Sequence, residues 1–165
     1  MVAALAVPGV AYAQAESEAK PKEGRLPIVL FGTATIGRPL WLSGGVDALF
    51  LIGPTKNEDG LLGSQGLVAG GNLGIGGFQL SAGAFKAGLP AVFSARVVYT
   101  QTFPHPHVSD PNAAYIGASA QITILYFVRA NFGVDHRIRG TGDRRTLYVW
   151  SVGAHFYLKD TIKRR

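Results

Sequence analysis

Three groups of residues in this chain have types and spacings that could do chemistry. The segment "FPHPHVSDP" (103–111) holds His105, His107 and Asp110. A His-x-His pair in extended backbone puts both imidazoles on one side, as a metal-ligand pair would need. Two imidazoles and one carboxylate on a Pro-rich loop are an incomplete set with no further donor identifiable, so the segment reads as a rigid, solvated turn and no metal is assigned. Ser151 and His155 share one face of the last apolar run, and Asp47 and Asp135 could supply the acid of a hydrolase triad. A nucleophile and its base must meet within hydrogen-bond reach. Four residues along a strand span roughly 13 Å, so these two cannot pair directly, and no catalytic residue is assigned. The Gly-rich "GGNLGIGGFQ" (70–79) lacks a following Lys-Ser/Thr and does not complete G-x-G-x-x-G. It reads as glycines in a curved strand and tight turn, and no cofactor is assigned.

The elements around these residues are legible from periodicity. "YIGASAQITILYFV" (115–128) carries no charge in fourteen residues and could be taken for a membrane helix. A helix crossing a bilayer needs roughly 20 predominantly apolar residues. Here Ser119, Gln121 and Thr123 recur at every second position, between Ile116, Ala118, Ala120, Ile122 and Ile124. That is the period of a strand. The same two faces appear elsewhere. Phe93, Ala95, Val97 and Tyr99 oppose Ser94, Arg96, Val98 and Thr100; Tyr148, Trp150, Val152, Ala154, Phe156 and Leu158 oppose Ser151, Gly153 and His155. Leu42, Val46, Ala48, Phe50 and Ile52 oppose Ser43, Gly45 and Asp47. Eight strands are expected, over 27–37, 40–52, 62–75, 77–87, 91–103, 113–127, 132–138 and 145–158, with the sixth turn near Arg129-Ala130-Asn131.

The composition of the polar face decides which way the sheet turns. A water-facing sheet is dotted with Lys, Glu and Asp. This one carries Gly, Ser, Thr and Gln, with single charges at Asp47, Arg96, Arg129 and Asp135. That suits a narrow lumen, since eight strands leave an interior just wide enough for side chains. Asp47, Arg96, Gln121, Arg129 and Asp135 are therefore the candidate lumen residues, the charged ones forming ion pairs. The apolar face would meet lipid, with aromatics toward strand ends at Tyr99 and Phe103, Tyr126 and Phe127, Tyr148 and Trp150, and Phe156 and Tyr157. Strands of this length match the roughly 9–11 residues that cross a bilayer at a tilt. Two other readings stay open: a soluble secreted or periplasmic barrel that binds an apolar ligand inside, and a lipid-modifying barrel enzyme.

Composition and the chain ends agree with export. Of 165 residues, 47% are hydrophobic and only 16% charged, against roughly 25% in an ordinary soluble domain. Without Cys, the chain can form no disulfide. The net charge of +6 is not clustered with aromatics, which argues against nucleic acid. Residues 1–15 read as a signal peptide, with A-x-A patterns at 11–13 and 13–15. No Lys or Arg follows Met1, so a basic n-region would lie upstream of this start. Residues 16–26 would be a flexible mature N-terminus, 27–158 the barrel and 159–165 a basic tail.

Over residues 27–158 the pattern resembles the small eight-stranded bacterial outer-membrane β-barrel proteins. The last strand, "TLYVWSVGAHFYL", is similar to the C-terminal assembly strand of that class, although seven residues, "KDTIKRR", follow where the family ends on an aromatic. The resemblance implies an all-β, eight-stranded antiparallel up-and-down transmembrane barrel, a monomer in the outer membrane of a Gram-negative bacterium. Its role would be structural or that of a narrow pore, without catalysis. Its partners would be outer-membrane lipids, lipopolysaccharide and the barrel assembly machinery. With both termini periplasmic, loops 37–39, 74–77, 104–112 and 139–144 face outward and are short. Arg137, Arg139, Arg144 and Arg145 on the last outward hairpin are then the candidate lipopolysaccharide contacts.

Overall fold

A computed structural model describes residues 27–52, 63–106 and 109–160. Residues 1–26, which include the expected signal peptide and mature N-terminus, lie outside this set, as do His107 and residues 161–165 of the tail.

Eight strands follow in order: β1 (Ile28–Arg38), β2 (Trp41–Ile52), β3 (Gln65–Gly74), β4 (Gly77–Ala87), β5 (Ala91–Thr102), β6 (Ala114–Ile124), β7 (Val128–Arg139) and β8 (Thr146–Asp160). Each pairs antiparallel with its sequence neighbour, and β1 pairs antiparallel with β8 to close the barrel. Closure leaves no strand edge unpaired. There is no helix among the described residues, and so none long and apolar enough to cross a membrane.

The alternation sets the two faces as expected. Leu42, Val46, Phe93, Val97, Ile116, Ile124, Trp150 and Val152 are exposed on the outer wall. Thr33, Ser43, Asp47, Asn72, Ser94, Arg96, Ser119, Gln121, Thr123, Arg129, Asn131 and His155 are buried in the interior. Two breaks in register shift this pattern. One, between Leu30 and Phe31 on β1, leaves Leu158 without a partner in the ladder and brings Tyr157 edge-on to Phe31, with ring centroids 6.1 Å apart. Tyr157 keeps 53% of its surface exposed at the end of β8 while its ring edge meets Phe31. The other, between Ala114 and Tyr115 on β6, skips Ile138 and pairs Tyr115 with Arg137.

The sixth turn lies at Leu125-Tyr126-Phe127, not at Arg129-Ala130-Asn131. Leu125 and Tyr126 have φ of 51° and 59°, and the Phe127 N–H donates to the Ile124 carbonyl at 3.0 Å. Positive φ at both central residues is the two-residue turn whose twist matches a hairpin. Asn131 tolerates such a conformation but is buried in the lumen instead. β8 also runs two residues further than expected, to Asp160.

Candidate functional site in the barrel interior

The interior is layered. At the end that carries the chain termini, Val29, Phe31, Leu49, Leu51, Val68, Phe85 and Ala87 form an apolar cluster. At the opposite end, Ala113, Tyr115, Leu147 and Val149 form a second one. The expectation of a small, polar lumen is thus corrected at both ends. Period two places Leu49 and Leu51 on the same face as Asp47, and Leu147 and Val149 on the same face as Ser151.

Between the two clusters lies a polar belt. Asp47 on β2 is fully buried, at 0% exposure. Arg96 on β5 grips it with both ends of its fork, Nη1 to Oδ1 at 2.8 Å and Nη2 to Oδ2 at 3.0 Å. Arg129 on β7 adds Nη1 to Oδ2 at 3.1 Å. His155 on β8 brings Nε2 to 3.8 Å from Oδ2, outside hydrogen-bond reach. Its ring stacks on Phe31 instead, with centroids 4.3 Å apart and planes 20° from parallel. Four strands therefore converge on one carboxylate. Glycine makes this possible: a Cβ at Gly70, beside Asp47 on β3, would collide with Asp47 Oδ1.

Asp135 does not join this cluster. Its Oδ2 accepts a bond from Thr100 Oγ1 at 2.9 Å, and its Oδ1 has no hydrogen-bond partner among the described residues. Gln121 donates from Nε2 to Thr123 Oγ1 at 3.3 Å. Of the candidate lumen residues, the structure thus brings Asp47, Arg96 and Arg129 together and leaves Asp135 and Gln121 in separate local bonds. Thr33 donating to Asn72, the Thr35–Ser43 hydroxyl pair and Gln79 donating to Thr100 complete the belt. A polar cavity of about 10 Å³ beside it, lined by Ser43, Gln79, Arg129, Asn131 and Ser151 among others, has room for about one water.

A second cluster sits at the mouth away from the termini. Arg137 Nη1 donates to Asp110 Oδ2 at 2.6 Å, and Tyr115 Oη donates to the same oxygen at 3.3 Å. The Thr102 hydroxyl donates to the Asp110 carbonyl at 2.6 Å and accepts from the Ala113 N–H at 2.9 Å. Together these fasten residues 110–113 to the ends of β5, β6 and β7 at the mouth. Asp110 is thus engaged by a cation from its own chain. His105 is exposed, and among the described residues no group of three ligands could hold a metal. Arg139, Arg144 and Arg145 lie exposed at the same end, whereas Arg137 is turned into the ion pair.

Neither ring nitrogen of His155 has a hydrogen-bond partner among the described residues, so Ser151 and His155 form no dyad. The chemistry this interior performs on itself is the cross-linking of strands by guanidinium–carboxylate forks. In comparisons with known proteins, no family model, no curated protein and no solved structure matches the chain.

Proposed function

We propose that this is an outer-membrane β-barrel of a Gram-negative bacterium, exported behind a signal peptide and inserted by the barrel assembly machinery. It acts as a closed structural element of that membrane, without catalysis. One observation carries the reading. The barrel is inverted relative to a water-soluble one, with large apolar side chains around its outer wall and charged residues on its axis. Soluble monomers rarely expose contiguous apolar patches beyond a few hundred Å², and in hydrocarbon a closed barrel is the only sheet that satisfies its backbone. The belt around Asp47, with an apolar cluster on either side, favours a plug over a pore. An interior of this kind also offers little to an apolar ligand, which argues against the soluble binding barrel. Arg139, Arg144 and Arg145 are placed to meet lipopolysaccharide phosphates, with Arg137 committed to Asp110.

Fractionation tests the location. The mature protein should require detergent for extraction and should run with heat-modifiable mobility; recovery as a soluble protein would overturn the membrane reading. Planar-bilayer recording tests the plug. The wild type should show no unitary current, and replacing Arg96 and Arg129 together by Ala should raise conductance. A steady open channel in the wild type would make it a pore.

A further inference from the structure

The outer wall has one region unlike the rest. At the termini end, the β4–β5 hairpin (88–90) and the β6–β7 hairpin (125–127) are tied together, the Leu125 N–H donating to the Pro90 carbonyl at 2.8 Å. Both turns present apolar side chains where turns are ordinarily polar. Leu89 is 76% exposed, Leu125 71% and Phe127 58%. Leu125 holds its left-handed φ without being Gly or Asn, a conformation that costs free energy. Such residues in such a place make sense if the turns sit in an apolar phase.

Beside them runs a groove of about 430 Å³, lined by Leu89, Pro90, Phe93, Ile122 and Ile124 with Lys86 on its rim. The volume falls within the roughly 300–1,000 Å³ of small-molecule sites. Phe93 lies directly across from Lys86 on one side and Ile122 on the other, so the cation and the apolar floor share one outward face. Lys86 has no ion-pair partner among the described residues. An exposed ammonium lining an open apolar trough is complementary to an amphiphile with an anionic head and an alkyl tail.

We infer that this groove is a binding site for one glycerophospholipid of the leaflet nearest the termini, an acyl chain lying over Phe93 and Ile122 and its phosphate meeting Lys86. The inference rests on the membrane reading above and adds a defined lipid site to it. Lipopolysaccharide is the other phosphate-bearing lipid of such a membrane, but it would meet the opposite end of the barrel.

The test is native mass spectrometry of the full mature protein in non-ionic detergent, titrated with palmitoyl-oleoyl phosphatidylglycerol. Each variant is first checked for folding by heat-modifiable mobility. The wild type should retain one lipid per barrel at low lipid ratio. Ile122→Trp, which fills the groove from an outward position, should lower occupancy about tenfold. Lys86→Ala should lower it about fivefold. Val152→Trp, on the far wall in β8, should leave it unchanged. Diacylglycerol, which has the chains but no phosphate, should not be retained. If Ile122→Trp and Val152→Trp retain lipid equally, the site does not exist, although a barrel that still needs detergent keeps the membrane reading intact. If the wild type is soluble without detergent, the membrane reading itself fails and takes the site with it.

Discussion

Asp47 and Asp110 are both held by arginine, Asp47 deep on the barrel axis and Asp110 at the mouth. Asp47 is gripped by Arg96 and Arg129 from two other strands, with side chains almost entirely shielded. Asp110 belongs to a loop, and it and Arg137 keep 12% and 13% of their side-chain surface open to solvent. The chemistry is the same, but the surroundings are not. An ion in the interior must be compensated by its partners, because water is not there to do it. At the mouth, water and salt share that task. Asp135 marks a third condition: buried, with Thr100 as its hydrogen-bond donor and no arginine partner among the described residues.

The comparison breaks most sharply at Asp47. Asp47→Ala leaves two guanidinium groups buried around a missing anion. It should cost about 3–5 kcal/mol, read from urea unfolding in detergent with Trp41 and Trp150 as fluorophores. Replacing the whole group (Asp47→Leu, Arg96→Met and Arg129→Met together) should cost much less than the single change, since no charge is then stranded. A triple variant as unstable as Asp47→Ala would show that packing, not stranded charge, is at issue.

Next in size is the space around the axial carboxylate. Gly70→Ala drives a methyl group into Asp47 Oδ1 and should cost about 1–3 kcal/mol. Its neighbour Gly71 faces outward, and a methyl there would meet Leu80 Cδ2 at 3.5 Å and the Gln79 carbonyl at 3.9 Å, both ordinary contacts. Gly71→Ala should change stability by less than about 0.5 kcal/mol. Equal losses at the two positions would mean that the clearance beside Asp47 is not what Gly70 provides.

Of the two ion pairs, the one at the mouth gives the smaller effect. Arg137→Ala should cost about 0–1 kcal/mol, and that cost should fade as sodium chloride is raised, because the pair is partly exposed. The cost of Asp47→Ala should be nearly independent of salt. A mouth pair as salt-insensitive and as costly as the axial one would erase the distinction between them.

Most of the barrel was legible because its signal is local. Ser119, Gln121 and Thr123 alternate with Ile116, Ile122 and Ile124, and two-residue periodicity states both the element and its inward face. The turn at Leu125-Tyr126 was not legible. It contains neither Gly nor Asn, and Asn131 offered a better local match four residues too late. The break in register that leaves Leu158 unpaired was hidden for a similar reason, since it depends on how β8 meets β1 and not on β8 alone.

The residues of the candidate site were visible as the few charges on an otherwise neutral face. Their grouping was not. Asp47, Arg96 and Arg129 come from strands that are not neighbours in the barrel, and nothing in local spacing says that Asp135 stays apart while His155 approaches. By itself the sequence determined an eight-fold alternation of faces, a scarcely charged inner face and the short list of residues able to pair across it, because those properties follow from side-chain period and type. Only the tertiary structure decided which carboxylate takes both arginines, that apolar clusters lie on either side of the belt, and that two apolar turns meet beside Lys86. The first two depend on closure of β1 on β8, which fixes distances across the barrel, and the third on the pairing of β5 with β6; no stretch of one strand contains either.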